Sequence, residues 1–163
     1  MLTKKLRGLL RIRTNIKVEV LDLRGKLTDL KRMPNLYTTI GLNLLRGALG
    51  GDYTAINDGT IRYVAIGDNN TAPALGNTTL VNEVFRKPVT SIDIATDAVC
   101  ESILYIAASE AVGAIEEIGW FCGPSATATA DTGSLLARVL YSRVKTNLEA
   151  IRITRTDTLE EAP

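Results

Sequence analysis

Residues 116–122 read EEIGWFC and place two carboxylates, the only tryptophan and a cysteine within one short stretch. Adjacent carboxylates could act as general acid and general base, and a cysteine beside a base could act as a nucleophile. The chain contains no histidine, which removes Cys–His and Ser–His catalysis and much hydrolase chemistry with it. Cys100 and Cys122 are the only cysteines and lack CxxC spacing, so a structural zinc has no ready ligand set. The segment GDNNTAP at 67–73 offers Asp68, Asn69 and Asn70 as oxygen ligands. It lacks the alternating spacing and distal glutamate of a calcium loop, and reads as a turn. Gly47, Gly50 and Gly51 follow a helical pattern and do not open one, so they form no phosphate loop. Aromatic residues make up 5% of the chain, which leaves few platforms for a sugar ring. The expectation is a protein that is not an enzyme, with no metal and no cofactor.

Whether EEIGWFC does chemistry depends on the element that carries it. The pattern around AIEEIGWF is that of a strand, on which side chains alternate between faces. Glu116, Ile118, Trp120 and Cys122 would then share one face, and Ile115, Glu117, Gly119 and Phe121 the other. The two carboxylates diverge and form no acid–base pair. Cys122 falls with Ile118 and Trp120, and Cys100 with Leu104 and Ile106, so both thiols are expected to be reduced and buried as small apolar groups.

The other elements follow from the same periodicities. IKVEVLDL at 16–23, a turn at 24–26 and a returning segment with Leu27 and Leu30 predict a β-hairpin that Pro34 ends. YTTIGLNLLRGALGG at 37–51 predicts the one clear helix, over 38–49. Ile40, Leu44 and Ala48 form one stripe, and Leu42, Leu45 and Leu49 another. Thr38 or Thr39 is the cap, and Gly50–Gly51 the stop. Gly41 and Gly47 weaken it by about 1 kcal/mol each, so packing on both stripes is expected. Beyond Asn57, strand patterns such as IRYVAIG, LVNEVFRK, ESILYIAA and EAIRITRTD alternate with turn-rich segments. In 135–144, Leu136, Leu140 and Val144 lie on one face and Leu135, Ala137, Val139 and Tyr141 on the other. That predicts cover on both sides, from the helix or from another subunit. The fold expected is mainly β (α+β): an antiparallel β-sandwich-like domain at 16–157, with one packed helix, a basic N-terminal docking arm at 1–15 and a C-terminal tail at 158–163.

The formal charge of +1 conceals an asymmetry. Residues 1–35 carry ten Lys/Arg against three Asp/Glu, a balance of +7, and the remainder carries nine against fifteen, or −6. Arg7, Arg11 and Arg13 interrupt what would be the apolar part of a secretion signal, so none is expected. No apolar run approaches the roughly 18 residues of a membrane span. A basic arm suits an anionic partner; with no aromatic residue before Tyr37 to stack a base, nucleic acid is disfavoured against an acidic protein surface. Leu2, Leu6, Leu9 and Leu10 fall at helical spacing beside Lys4, Lys5, Arg7, Arg11 and Arg13. The arm is therefore expected to be disordered alone and to order on a neighbouring subunit. Its partner-docking residues would be Lys4, Lys5, Leu6, Arg7, Leu9, Leu10, Arg11 and Arg13.

Four stretches in order carry a likeness. NLYTTIGLN provides Asn35, Leu36, Thr38, Gly41, Leu42 and Asn43; VAIGDNNTAP provides Ala65, Gly67, Thr71, Ala72 and Pro73. EIGWF provides Glu117 to Phe121, and GSLLAR provides Gly133, Leu135, Leu136, Ala137 and Arg138. The series resembles a widespread group of bacteriophage virion proteins, described as tail-fibre-like or virion structural proteins, over about residues 16–157. Glu116 stands where that group often has threonine. The motifs are turns and core strands, so the resemblance implies architecture and virion membership, and no site residues.

It implies a non-enzymatic virion structural protein, assembled in a host cytoplasm and docking onto other virion subunits as a small appendage or adaptor of tail, neck or baseplate type. A capsid decoration protein is the alternative, and a receptor- or glycan-binding module a further one. The chain has no coiled-coil heptads, collagen-like repeat or β-helical period, so it carries no long fibre shaft. The doubly apolar strand and helix predict a homo-oligomer, with three chains the number the resemblance suggests.

Overall fold

The computed structural model describes residues 9–50 and 59–162. Among these residues, ten strands and one helix run in the order β1 (Leu9–Asp22), β2 (Leu27–Met33), β3 (Leu36–Tyr37), α1 (Thr39–Gly50), β4 (Ile61–Gly67), β5 (Glu83–Pro88), β6 (Ser91–Asp93), β7 (Val99–Ile106), β8 (Gly113–Cys122), β9 (Ser134–Lys145) and β10 (Glu149–Ala162). They build two five-stranded antiparallel sheets, ordered β2-β1-β10-β7-β6 and β3-β9-β8-β4-β5. The sandwich-like, mainly β architecture expected from the sequence is what the chain adopts.

Alternation explains the core between the sheets. Ile16 and Val18 on β1, Leu104 and Ile106 on β7, and Ile151 and Ile153 on β10 point inward from the first sheet. Val64 and Ile66 on β4, Ile118, Trp120 and Cys122 on β8, and Val139 and Tyr141 on β9 meet them from the second. Burial of these side chains is the main stabilising contribution, at about 1.5–3 kcal/mol for each large one. Two irregularities in the β8–β9 pairing, between Ile115 and Glu117 and between Trp120 and Phe121, break strict alternation. The first puts Ile115 on the same core side as Ile118, which corrects the face expected for it. The second puts Leu136 in the main core beside Ala137, while Leu135 joins the opposite side.

The outer face of the second sheet is also covered, over one half only. Ala65, Phe121 and Leu135 pack there with Leu80 and Ala126, which come from the loops before β5 and before β9. The expectation that 135–144 is covered on both faces holds for its first residues and fails further on, where Val144 is 74% exposed. Its neighbour Ala114 is exposed too, so this end of the sheet faces out.

Helix α1 departs from the doubly buried rod expected. Gly41, Leu44 and Gly47 are buried, whereas Leu42 is 48% exposed. Gly41 is there for proximity: a Cβ on it would overlap the Leu136 carbonyl oxygen on β9. Thr38 is the cap, accepting from the Gly41 N–H at 3.0 Å and donating its hydroxyl proton to the Leu135 carbonyl. The side chains of Ala48 and Leu49, and residue Gly51, lie outside the described residues. The β1–β2 hairpin forms as expected, closed by Gly25 N–H to Asp22 O at 2.9 Å and Asp22 N–H to Lys26 O at 2.9 Å.

Candidate functional site

Glu117, one of the two adjacent carboxylates, is the centre of a buried polar cluster on the outer face of the second sheet. Its side chain is 0% exposed and that of Arg138 1%. The Arg138 Nε donates to Glu117 Oε2 at 2.5 Å, and the Val81 and Asn82 N–H groups both donate to Oε1 at 3.0 Å. Arg138 reaches on to the Thr71 carbonyl at 2.7 Å and to Asn77 Oδ1 at 3.2 Å. One ion pair therefore holds both ends of the segment between β4 and β5 against β8 and β9. Gly119 makes room for that segment, since a Cβ there would lie 2.7 Å from Leu80 Cδ2. Glu116 points elsewhere and accepts from Ser142 Oγ at 3.0 Å. The two carboxylates are separated and form no acid–base pair, and Glu117 is a clamp. The sequence reading missed this partnership; its signal was an arginine inside the apolar run LLARVL, opposite a glutamate inside another.

A second cluster performs the same task next door. Arg86 makes a bidentate pair with Glu83 at 2.6 and 2.8 Å, donates to the Thr132 carbonyl at 2.7 Å, and lies 4.1 Å from the Phe121 ring centroid. Asp131 N–H donates to Glu83 Oε2 at 3.2 Å. The loop before β9 is thereby held to β5.

The third cluster sits inside the sandwich. Arg155 is fully buried, pairs bidentately with Asp157 at 2.7 and 3.0 Å, and lies near the Tyr37 and Trp120 rings, 5.1 and 5.2 Å from their centroids. Tyr37 donates its hydroxyl proton to Asp157 Oδ1 at 2.7 Å, and Thr14 donates to the same oxygen. Burial pushes the Asp157 carboxyl up, but the Arg155 guanidinium and these hydrogen bonds outweigh it and hold the group below the ordinary carboxylate range. Burial raises the Tyr37 hydroxyl and the Cys100 thiol. Cys122 is buried, as expected; Cys100 is only half-buried, at the margin of this cluster.

The turn reading of GDNNTAP is supported by the Thr71 N–H donating to Asn69 Oδ1 at 2.9 Å and Asn82 Nδ2 to Asp68 Oδ1 at 2.6 Å. Among the described residues, no group of three or more His, Cys, Asp or Glu could hold a metal ion. No described helix is long and apolar enough to cross a membrane.

Of the residues assigned to docking, Lys4, Lys5, Leu6 and Arg7 lie outside the described residues. Leu9, Leu10, Arg11 and Arg13 do not belong to a disordered or helical arm. They open strand β1, in register with Ala162, Glu161, Glu160 and Thr158 of β10. The boundary drawn at 15/16 falls inside β1, and the tail drawn at 158–163 belongs to β10 as far as Ala162. The physical reason is visible in LRIRTNIKVEV, which alternates from Leu10 to Val20 and forms one continuous strand once a partner strand lies beside it. For Leu9 and Leu10 the helical spacing was the weaker signal; Leu2 and Leu6 lie outside the described residues. Arg11 lies 3.9 Å from Glu160, with its side chain 59% exposed. Arg13 borders a shallow open depression of ≈ 220 Å³ with Asn15, Thr156, Thr158 and Glu160. No protein-family model, curated protein or solved structure matches the chain.

Proposed function

We propose that this chain is a non-enzymatic bacteriophage virion structural protein, a small appendage or adaptor of tail, neck or baseplate type that docks onto neighbouring virion subunits. The observation that carries the reading is the convergence of the four motif stretches. Thr38 and Gly41 seat the helix on Leu135 and Leu136, and Glu117 pairs with Arg138, which holds Thr71. The residues behind the resemblance thus act as one structural device, as motifs of shared architecture should. The polar groups that first looked chemical hold loops to sheets, and the exposed basic residues of β1 are left for contact.

Mass spectrometry and antibody labelling of purified particles test this reading. The chain should be a stoichiometric component, and its absence from particles would defeat the proposal. Its position in a particle density map separates a tail, neck or baseplate appendage from a capsid decoration protein. A truncation that probes the basic N-terminus must stop at residue 8, because residues 9–14 pair with β10. The homo-oligomer is proposed on the exposed apolar end of the second sheet, where Val112, Ala114 and Val144 face out.

A further inference from the structure

Among the described residues, strand β1 has one long open edge. β10 pairs with it along the whole of Leu9–Asp22, whereas β2 pairs with its other side only from Ile16 to Leu21. Along Leu9–Asn15 no described strand lies on that side, so alternate backbone N–H and C=O groups point away from the sheet. Such an edge is a template for another strand, and charged side chains on it decide which strands are admitted. Arg11 and Arg13 are exposed and share one face. Arg11 reaches only the distant Glu160, and Arg13 makes no ion pair among the described residues. On the opposite face, Ile12 and Thr14 are half-buried.

We propose that the open edge of β1 at Leu9–Asn15 receives an extended, acidic strand of a different polypeptide, added by backbone pairing. This deepens the docking reading above, rests on it, and names the chemistry of the partner. The partner strand carries carboxylates on the side of Arg11 and Arg13 and apolar or small residues on the side of Ile12 and Thr14. The same edge of a second copy, paired antiparallel about Ile12, does not fit. Antiparallel self-pairing about Ile12 sets Arg11 of each copy opposite Arg13 of the other, and like charges directly opposite are destabilising. Residues 1–7 do not fit either, because they contain Lys4, Lys5 and Arg7 and no carboxylate.

The test titrates the full-length protein with synthetic peptides of about eight residues, the length that spans Leu9–Asn15. One alternates Glu and Val, one alternates Lys and Val, and one is the Glu/Val peptide N-methylated at alternate backbone nitrogens. Calorimetry and backbone-amide NMR report binding. The Glu/Val peptide should shift the amides of residues 9–15, and both control peptides should be silent. Arg11→Ser with Arg13→Ser should weaken binding about tenfold, the effect of two exposed ion pairs, and raised salt should do the same. Silence of the Glu/Val peptide, or equal binding of the Lys/Val peptide, overturns the proposal. So does dilution-dependent self-pairing through the same amides, which makes a second copy the occupant. Binding that emerges only after residues 1–8 are deleted overturns it in favour of the chain's own N-terminus. Particle incorporation is measured separately: a chain found in particles but silent to peptides defeats the edge proposal alone, and a chain absent from particles defeats the virion reading.

Discussion

Removing one partner of the Glu117–Arg138 pair should have a large and specific effect. Arg138→Met keeps the apolar stem of the side chain but deletes the guanidinium and its charge. Glu117 would then remain at 0% exposure with only the Val81 and Asn82 N–H groups to stabilise it. Leaving a buried charge unpaired destabilises by about 3–5 kcal/mol, against a total stability of about 5–15 kcal/mol for a domain of this kind. Removing Glu117 as well, in Glu117→Gln with Arg138→Met, removes the orphan charge, so the double variant should recover at least 1 kcal/mol relative to the sum of the singles. Urea unfolding followed by the fluorescence of Trp120 measures the global term, and hydrogen exchange at the Val81 and Asn82 amides reports release of the β4–β5 segment. Arg138→Met within about 1 kcal/mol of the parent, with those two amides still protected, would refute the clamp.

Gly41→Ala should destabilise by about 1–3 kcal/mol, since the added methyl meets the Leu136 carbonyl and α1 must shift from β9; calorimetric melting reads it. Thiol labelling of the native protein should be slow at Cys122 and faster at half-buried Cys100, and fast at both in denaturant; equal native rates would contradict the β7 and β8 placements. Because the folded Asp157 pKa lies below its unfolded value, its contribution to stability is fully present above the unfolded pKa of about 4 and is lost as pH falls through the folded value. Asp157→Asn should flatten that acid limb in pH-dependent urea titrations, although the lowered carboxyls of Glu19, Glu110 and Glu149 will keep part of it.

By itself the sequence determined the class of fold, the hairpin at β1–β2, the capped helix, and the inward face of Ile118, Trp120 and Cys122. These depend on local periodicity and turn chemistry, which short stretches of chain carry within themselves. Three matters waited for the tertiary structure. The partners of Glu117 and Arg138 are 21 positions apart, and those of Asp157 and Thr14 are 143 apart, so no local pattern announces them. The faces of Ile115 and Leu136 depend on irregularities in the β8–β9 pairing, which exist only once two strands are aligned. Leu9 and Leu10 belong both to a helical spacing of leucines that begins at Leu2 and to the strand alternation of β1. The pairing of Leu9–Asp22 with β10 decides between them, because only a neighbouring strand can satisfy the backbone of an extended ribbon.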